Sequence, residues 1–256
     1  MNKIKFLGTA GARIVVSKQL RASGGIWLTL SGTNILLDPG PGTLVRCTSS
    51  KPRLDPMTLD GIILSHKHLD HSADINVMIE AMTEGGFKKK GAVFAPADAF
   101  ENDPVIFKYL RGFVERMEVL TVGASYSLGS VTFTPPVRHI HPVETYGINF
   151  QYEGPSISFL PDTLYFPELP QHYRGDVLII NVVRLKAGDY RIEHLTMDEA
   201  KEIIAQAKPR LAILTHFGMM VLRSKPWELA AQMEKELGIK VIAARDGMEL
   251  DLDKID

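Results

Sequence analysis

The chain has one cysteine, Cys47, in 256 residues, which excludes an internal disulfide and fits a reducing compartment. No run approaches the roughly eighteen apolar residues that a membrane-spanning helix needs, so no span is expected. Neither sign of charge dominates. The formal net charge of −1 argues against a broad electrostatic grip on nucleic acid or an anionic membrane. The densest basic run, Lys88, Lys89 and Lys90 in FKKKG, reads as a solvated loop. Internal repeats and flexible linkers are lacking too, so one domain over residues 1–256 is expected. The opening MNKIKFLGTAGARIVV has too short an apolar run for a leader, and Arg13 interrupts it. It reads as a strand and a glycine turn, and the expected location is cytoplasmic.

What the chain does have is short apolar runs bounded by Gly, Pro or Asp: KIKFL, GIWLTL, TNILLD, DGIILS, GAVFAP, VTFTPP, SISFLP, DVLIIN, RLAILT and KVIAA. These read as strands, and those without polar alternation should be covered on both faces. Amphipathic helices lie between some of them. In SADINVMIEAM, Ile75, Met78, Ile79 and Met82 share one helix face; in TMDEAKEIIAQAKP, Ala200, Ile203, Ile204 and Ala207 do so. Thr196 and Glu199 have the spacing of a capping box, with Pro209 just beyond the end. KPWELAAQMEKELG carries Pro226 in its first turn and Gly238 after its last. The mixture predicts an α/β fold with helices flanking packed sheets, and Trp27, Met78 and Met82 in the core.

Histidine is concentrated in one place. Of eight in the chain, His66, His68 and His71 fall in ILSHKHLDHSADI, with Asp70 among them. The apolar run ends at Ser65 and the helix face begins at Ile75, so the cluster sits on a strand-to-helix loop. Imidazole and carboxylate are ligands of borderline and hard divalent cations. An extended backbone puts His66 and His68 on one side as a chelating pair, while Asp70 and His71 can address a second ion. A lone histidine is usually a surface or satisfied core residue. Four ligand-type residues in H-x-H-x-D-H order at a strand end point to metal. Further ligands are then needed, and His141 closing VTFTPPVRHIH, Asp162 after SISFLP and His216 after RLAILT each follow an apolar run. One sheet edge would gather them.

These motifs resemble the metallo-β-lactamase superfamily over essentially the whole chain, through SHKHLDH, HPVETYG, FLPDTLYF and LTHFG. The resemblance implies a four-layer αβ/βα sandwich with a dinuclear metal site between the sheets. By it, His66, His68 and His141 hold one ion, Asp70, His71 and His216 the other, and Asp162 bridges them. His139 is the rival to His141 on the same strand face; the distance from His141 to the following YG fits the family pattern, which leaves His139 a neighbouring or supporting role. Two divalent cations are implied, zinc first, with manganese or iron also suited to the ligand set.

Within the superfamily, true β-lactamases carry a cysteine where Asp162 stands, and glyoxalase II-like enzymes append a helical region for which no length remains. The closer likeness is to the phosphodiesterase branch, which includes ribonuclease Z and the phosphoribosyl cyclic phosphate phosphodiesterase. FLGTAGAR and EHLTMDEAKEIIAQAKPRLAILTHFG carry it, with His194 ahead of a helix and the last ligand strand. Only residues 142–161 separate His141 from Asp162, too few for the tRNA-gripping arm of long-armed ribonuclease Z. The cysteine-rich structural zinc site of the cyclic phosphate enzyme is missing as well. The implied activity is hydrolysis of a small or cyclic, nucleotide-like phosphodiester. Alternatives are a lactonase or thioesterase on the same fold, and tRNA 3′ processing, which the missing arm disfavours. A non-enzymatic carrier is disfavoured because all seven ligand residues are present.

The resemblance also implies a mechanism. A hydroxide bridging the two cations attacks phosphorus, Asp70 orients it, and the positive centre stabilises the developing charge. His194 is the expected leaving-group acid, beside a helix start whose N–H groups favour an anion. Arg13, Arg21, Arg184 and Lys186 are weaker candidates for phosphate contacts. TAGA and RASGGI lack the spacing of a phosphate loop and read as turns that let backbone pass close to the site. The expected partner is a small anionic phosphodiester rather than long nucleic acid or a membrane. A homodimer, common in that branch, is compatible with the sequence.

Overall fold

A computed structural model describes residues 1–188 and 193–255. Its strands are β1 (Lys3–Phe6), β2 (Ile26–Leu30), β3 (Thr33–Leu37), β4 (Gly61–Ile63), β5 (Ala92–Ala95), β6 (Arg116–Val119) and β7 (Tyr126–Leu128) in the first half. The second half carries β8 (Val131–Thr134), β9 (Ile148–Gln151), β10 (Ile157–Leu160), β11 (Val177–Asn181), β12 (Leu211–Thr215), β13 (Lys240–Ala243) and β14 (Glu249–Asp251). The helices are α1 (Ala12–Ser17), α2 (Thr43–Ser49), α3 (Leu69–Ser72), α4 (Ile75–Met82), α5 (Met197–Ala207), α6 (Met219–Arg223) and α7 (Pro226–Leu237). One sheet runs β14-β1-β2-β3-β4-β5-β6 and the other β13-β12-β11-β10-β9-β8-β7. Each is half antiparallel and half parallel: β3 to β6 run parallel in the first, β10 to β13 in the second.

The period of two along each strand builds the layers. In β2, Ile26, Leu28 and Leu30 point into the core between the sheets, while Trp27 points to the outer face. In β12, Leu211 and Ile213 face inward, and Ala212 and Leu214 face out. The outer face of the first sheet is covered by Ile75, Met78, Ile79 and Met82 of α4. That of the second is covered by Ala200, Ile203 and Ile204 of α5 with Ala230 and Met233 of α7. Helix, sheet, sheet, helix is the four-layer αβ/βα sandwich expected, with strands apolar on both faces because both are covered. Among the described residues no helix is long and apolar enough to cross a membrane. Lys88 and Lys89 are exposed, as a solvated loop requires.

One strand ends earlier than its sequence suggested. The run VTFTPPVRHIH is a strand only as far as Thr134, and residues 135–147 form a connection held by an isolated bridge between Arg138 and Tyr146 and by backbone bonds such as His139 N–H to Thr145 O and Tyr146 N–H to Ser65 O. Pro135 and Pro136 lack the N–H groups that a ladder needs. His139 and His141 therefore sit on this connection rather than on a strand. Strands β6, β7, β9 and β14 had no counterpart among the apolar runs: β6, β7 and β14 are sheet edges, which need little apolar surface, and β9 alternates buried Ile148 and Phe150 with Asn149 and Gln151.

Helix α5 starts as its sequence indicated. Thr196 Oγ1 accepts from the Glu199 backbone N–H at 3.2 Å, and Glu199 Oε2 accepts from Thr196 N–H at 2.7 Å. Thr196→Ala is expected to lower stability by about 1 kcal/mol, read as a lower urea midpoint at unchanged slope.

Candidate metal centre

Strand ends position the cluster. Asp38 follows β3, Ser65 and His66 follow β4, Asp162 follows β10, Asn181 closes β11, and His216 follows β12. All are carboxyl ends of strands in the parallel halves of the two sheets, where loops leave the ladder and side chains are free to converge. His68 caps the short helix α3, which carries Asp70 and His71.

The expected ligands come together. The donor atoms of His66, His68 and His141 lie within 4.8 Å of one another, as do those of Asp70, His71 and His216. Asp162 lies among them. Its Oδ2 is 3.8 Å from His66 Nε2, 3.3 Å from His71 Nε2 and 3.4 Å from His194 Nδ1. Its Oδ1 is 3.5 Å from His216 Nε2. His141 Nε2 is 3.0 Å from His68 Nδ1. His139 does not join this set: both its ring nitrogens are engaged away from it, by the Asp162 carbonyl and the Tyr173 hydroxyl.

Several residues that hold this geometry were not singled out from the sequence. Asp38 accepts from Ser65 N–H at 2.6 Å and Ser65 Oγ–H at 2.7 Å, and it faces His71 Nδ1 at 2.9 Å. It thereby turns His71 Nε2 inward. Ser65 Oγ lies 2.9 Å from His66 Nδ1. The Asn181 amide donates to Asp162 Oδ1 at 3.0 Å. The rule that identified Asp162 and His216, a polar residue closing an apolar run, also fits the final residues of TNILLD and DVLIIN. The turn in TAGA serves close approach, as expected. His216 has a left-handed backbone, φ 58°, and Gly11 packs so tightly on it that a Cβ would lie 2.0 Å from its carbonyl oxygen. Gly11 N–H donates to Phe217 O, and Phe217 N–H to Thr9 O.

Charge in the cluster divides in two. Burial pushes the His66 ring well below the ordinary histidine range, lowers His68, and brings His141 to about 4. These are neutral imidazoles with lone pairs to offer. Burial also opposes charge on His71, but Asp162, Asp70 and Asp38 outweigh it and raise its pKa well above the usual value. Burial works against the Asp162 anion, yet His216, His194 and His71 hold its carboxyl well below the usual range. The carboxylates demand positive charge in a place closed to water. His66 Nε2, His71 Nε2, His194 Nδ1 and His216 Nε2 are buried without hydrogen-bond partners among the described residues. Such inward, unpartnered nitrogens beside a carboxylate fit divalent cations in donor type and charge.

The weaker candidates lie outside the cluster. Arg13 and Lys186 are exposed, and Arg21 reaches Thr9 Oγ1 at 3.4 Å. Arg184 pairs through its backbone with Leu195 and Met197, tying the β11 end to the start of α5. His194 sits just before that helix, mostly buried against Asp162.

Residues 33–217 match the model of the beta-lactamase superfamily domain. The chain belongs to this superfamily. The uncharacterized protein MJ1374 of Methanocaldococcus jannaschii is 31% identical over 98% of this chain and 95% of its own length. Ribonuclease Z of Methanopyrus kandleri, from the branch to which the motifs pointed, is 24% identical over 96% of each chain. Among solved structures, the metallo-β-lactamase fold protein YhfI of Bacillus subtilis superposes with a TM-score of 0.80 at 21% identity, over 97% of this chain and 98% of that one. The metallo-β-lactamase sandwich is thus supported by family, relatives and coordinates together.

Asp38 is the residue of the support that the cluster depends on most directly. Asp38→Ala is expected to lower divalent-metal affinity by about 10–100-fold, measured by chelator competition on refilled protein whose circular dichroism is unchanged.

Proposed function

We propose that this chain is a dinuclear metal-dependent hydrolase of small or cyclic, nucleotide-like phosphodiesters. One observation carries the reading: the inward nitrogens of His66, His71, His194 and His216, buried and unpartnered among the described residues, surround the Asp162 carboxylate. His66, His68 and His141 would hold one cation, Asp70, His71 and His216 the second, and Asp162 would bridge. Zinc suits the set best, in the reducing, cytoplasmic setting that fits a lone, buried Cys47. When bound, the pair of cations supplies Lewis acidity and a water ionised near neutral pH.

The chain's own residues do the rest. Asp70 is the more exposed of the two central carboxylates, with its Oδ2 3.6 Å from His216 Nε2 and 3.9 Å from His71 Nε2. From there it accepts a hydrogen bond from the attacking water and aims it at phosphorus. Asn181 holds Asp162 Oδ1, so that carboxylate keeps one orientation. His194 turns Nδ1 to Asp162, which leaves Nε2 to face substrate and donate the proton that the departing oxygen takes up as the P–O bond breaks. The α5 start beside it does not offer the anion-binding N–H groups expected from its sequence: those of Thr196, Met197 and Glu199 bond the Glu199 carboxylate, the Arg184 carbonyl and the Thr196 hydroxyl.

Phosphorus is favoured over carbon by the similarity to ribonuclease Z and by His194, a proton donor for the leaving oxygen, beside Asp162. Small substrates are favoured because β9 and β10 take up most of residues 142–161 as a paired hairpin, leaving no length for an arm. Reconstituted protein should hydrolyse bis(p-nitrophenyl) phosphate and leave a simple lactone intact; turnover of the lactone alone overturns the reading in favour of a carbonyl hydrolase. His194→Ala should lower kcat by about 10²–10⁴-fold at unchanged metal content by elemental analysis. Unaltered turnover would remove His194 from the chemistry.

A further inference from the structure

We infer that Tyr173 is a positioning residue: through His139 it grips the main chain of Asp162 and so holds the carboxylate at the middle of the cluster. The inference rests on the metal reading above, which supplies the reason for holding Asp162 still. The three residues belong to separate segments. His139 lies on the connection between β8 and β9, Asp162 follows β10, and Tyr173 follows the turn Leu169–His172 ahead of β11. His139 Nε2 is 2.6 Å from the Tyr173 hydroxyl, and its Nδ1 is 3.0 Å from the Asp162 carbonyl oxygen.

Donor and acceptor chemistry sets the direction of this chain. A carbonyl oxygen only accepts, so Nδ1 must carry the ring proton. A neutral ring then has its lone pair at Nε2, and the Tyr173 O–H donates to it. The other tautomer would turn a lone pair toward the Asp162 carbonyl and leave that oxygen unsatisfied. Tyr173 therefore satisfies the buried lone pair of the tautomer that binds Asp162 and holds the ring in that orientation. Exposures of 0% for Tyr173, 4% for His139 and 2% for Asp162 leave no room for water to take over either bond.

The phenol is fixed in turn. Gly147 packs directly against it, where a Cβ would lie 2.2 Å from its oxygen. Only glycine permits this approach. With Asn181 on the Asp162 side chain and His139 on its main chain, the carboxylate is held from both ends. His139 also stands two residues before His141, so the same contacts tie the segment carrying one proposed ligand to the segment carrying the bridge.

The test is Tyr173→Phe, which keeps the ring and removes the donor. Two readouts are needed, neither of them turnover. Metal affinity by chelator competition should fall by about 10–100-fold. The ¹⁵N spectrum of the metal-free protein should show His139 protonated at Nδ1 in both, with the unprotonated Nε2 resonance shifted by the Tyr173 hydrogen bond in the wild type and released from it in the variant. His139→Asn, which keeps an N–H donor near the Nδ1 position, should retain more affinity than His139→Leu. Adding Tyr173→Phe to His139→Asn should cost nothing further. A folded Tyr173→Phe protein with wild-type metal affinity, or with the His139 Nε2 resonance unmoved, overturns the inference. Wild-type protein that takes up no divalent ion overturns the metal reading instead, and the ¹⁵N comparison tells the two failures apart because it is made without metal.

Discussion

A carboxylate withdrawn from water must be met by positive charge or by hydrogen bonds. Asp162, at the edge where the two sheets meet, is such a carboxylate, and the centre is arranged around it. Its Oδ2 faces three histidines, and its Oδ1 faces a fourth as well as the Asn181 amide. The same demand explains the buried, unpartnered nitrogens. In a folded core they would be a defect unless something cationic were to sit between them.

The architecture makes this arrangement affordable. Each sheet devotes its antiparallel half to closing the core and its parallel half to delivering strand ends to one edge. Parallel strands must be covered on both faces, so α4 and α5 lie where they bury apolar stripes and start close to the edge where the histidine and aspartate cluster gathers. Hence one set of packing rules both builds the four layers and collects polar residues from distant parts of the sequence. Outside that edge, strand residues are committed to ladders and to the core.

Much of this was legible because its signals are local. H-x-H-x-D-H is a chelating pattern within one loop, and the runs ending at Asp162 and His216 announce strand ends by themselves. The capping box at Thr196 and the glycine after α7 are equally local and form as read. Supporting residues were harder to read. Asp38 and Asn181 close apolar runs, but a single Asp or Asn after a strand is also ordinary turn chemistry. Only their pairing with His71 and Asp162 separates the two uses. His139 resembled a ligand on a strand face until Pro135 and Pro136 ended that strand and the ring turned toward Tyr173.

The sequence alone determined which residues alternate, where helices begin, and which side chains have the chemistry to bind a cation, because those properties depend on neighbours a few positions away. Tertiary structure decided which carboxylate is buried, which ring nitrogens face inward, and which tyrosine controls a histidine far along the chain. Those outcomes follow from the packing of two sheets against each other and from the removal of water at their common edge. Neither is written in any short stretch of residues.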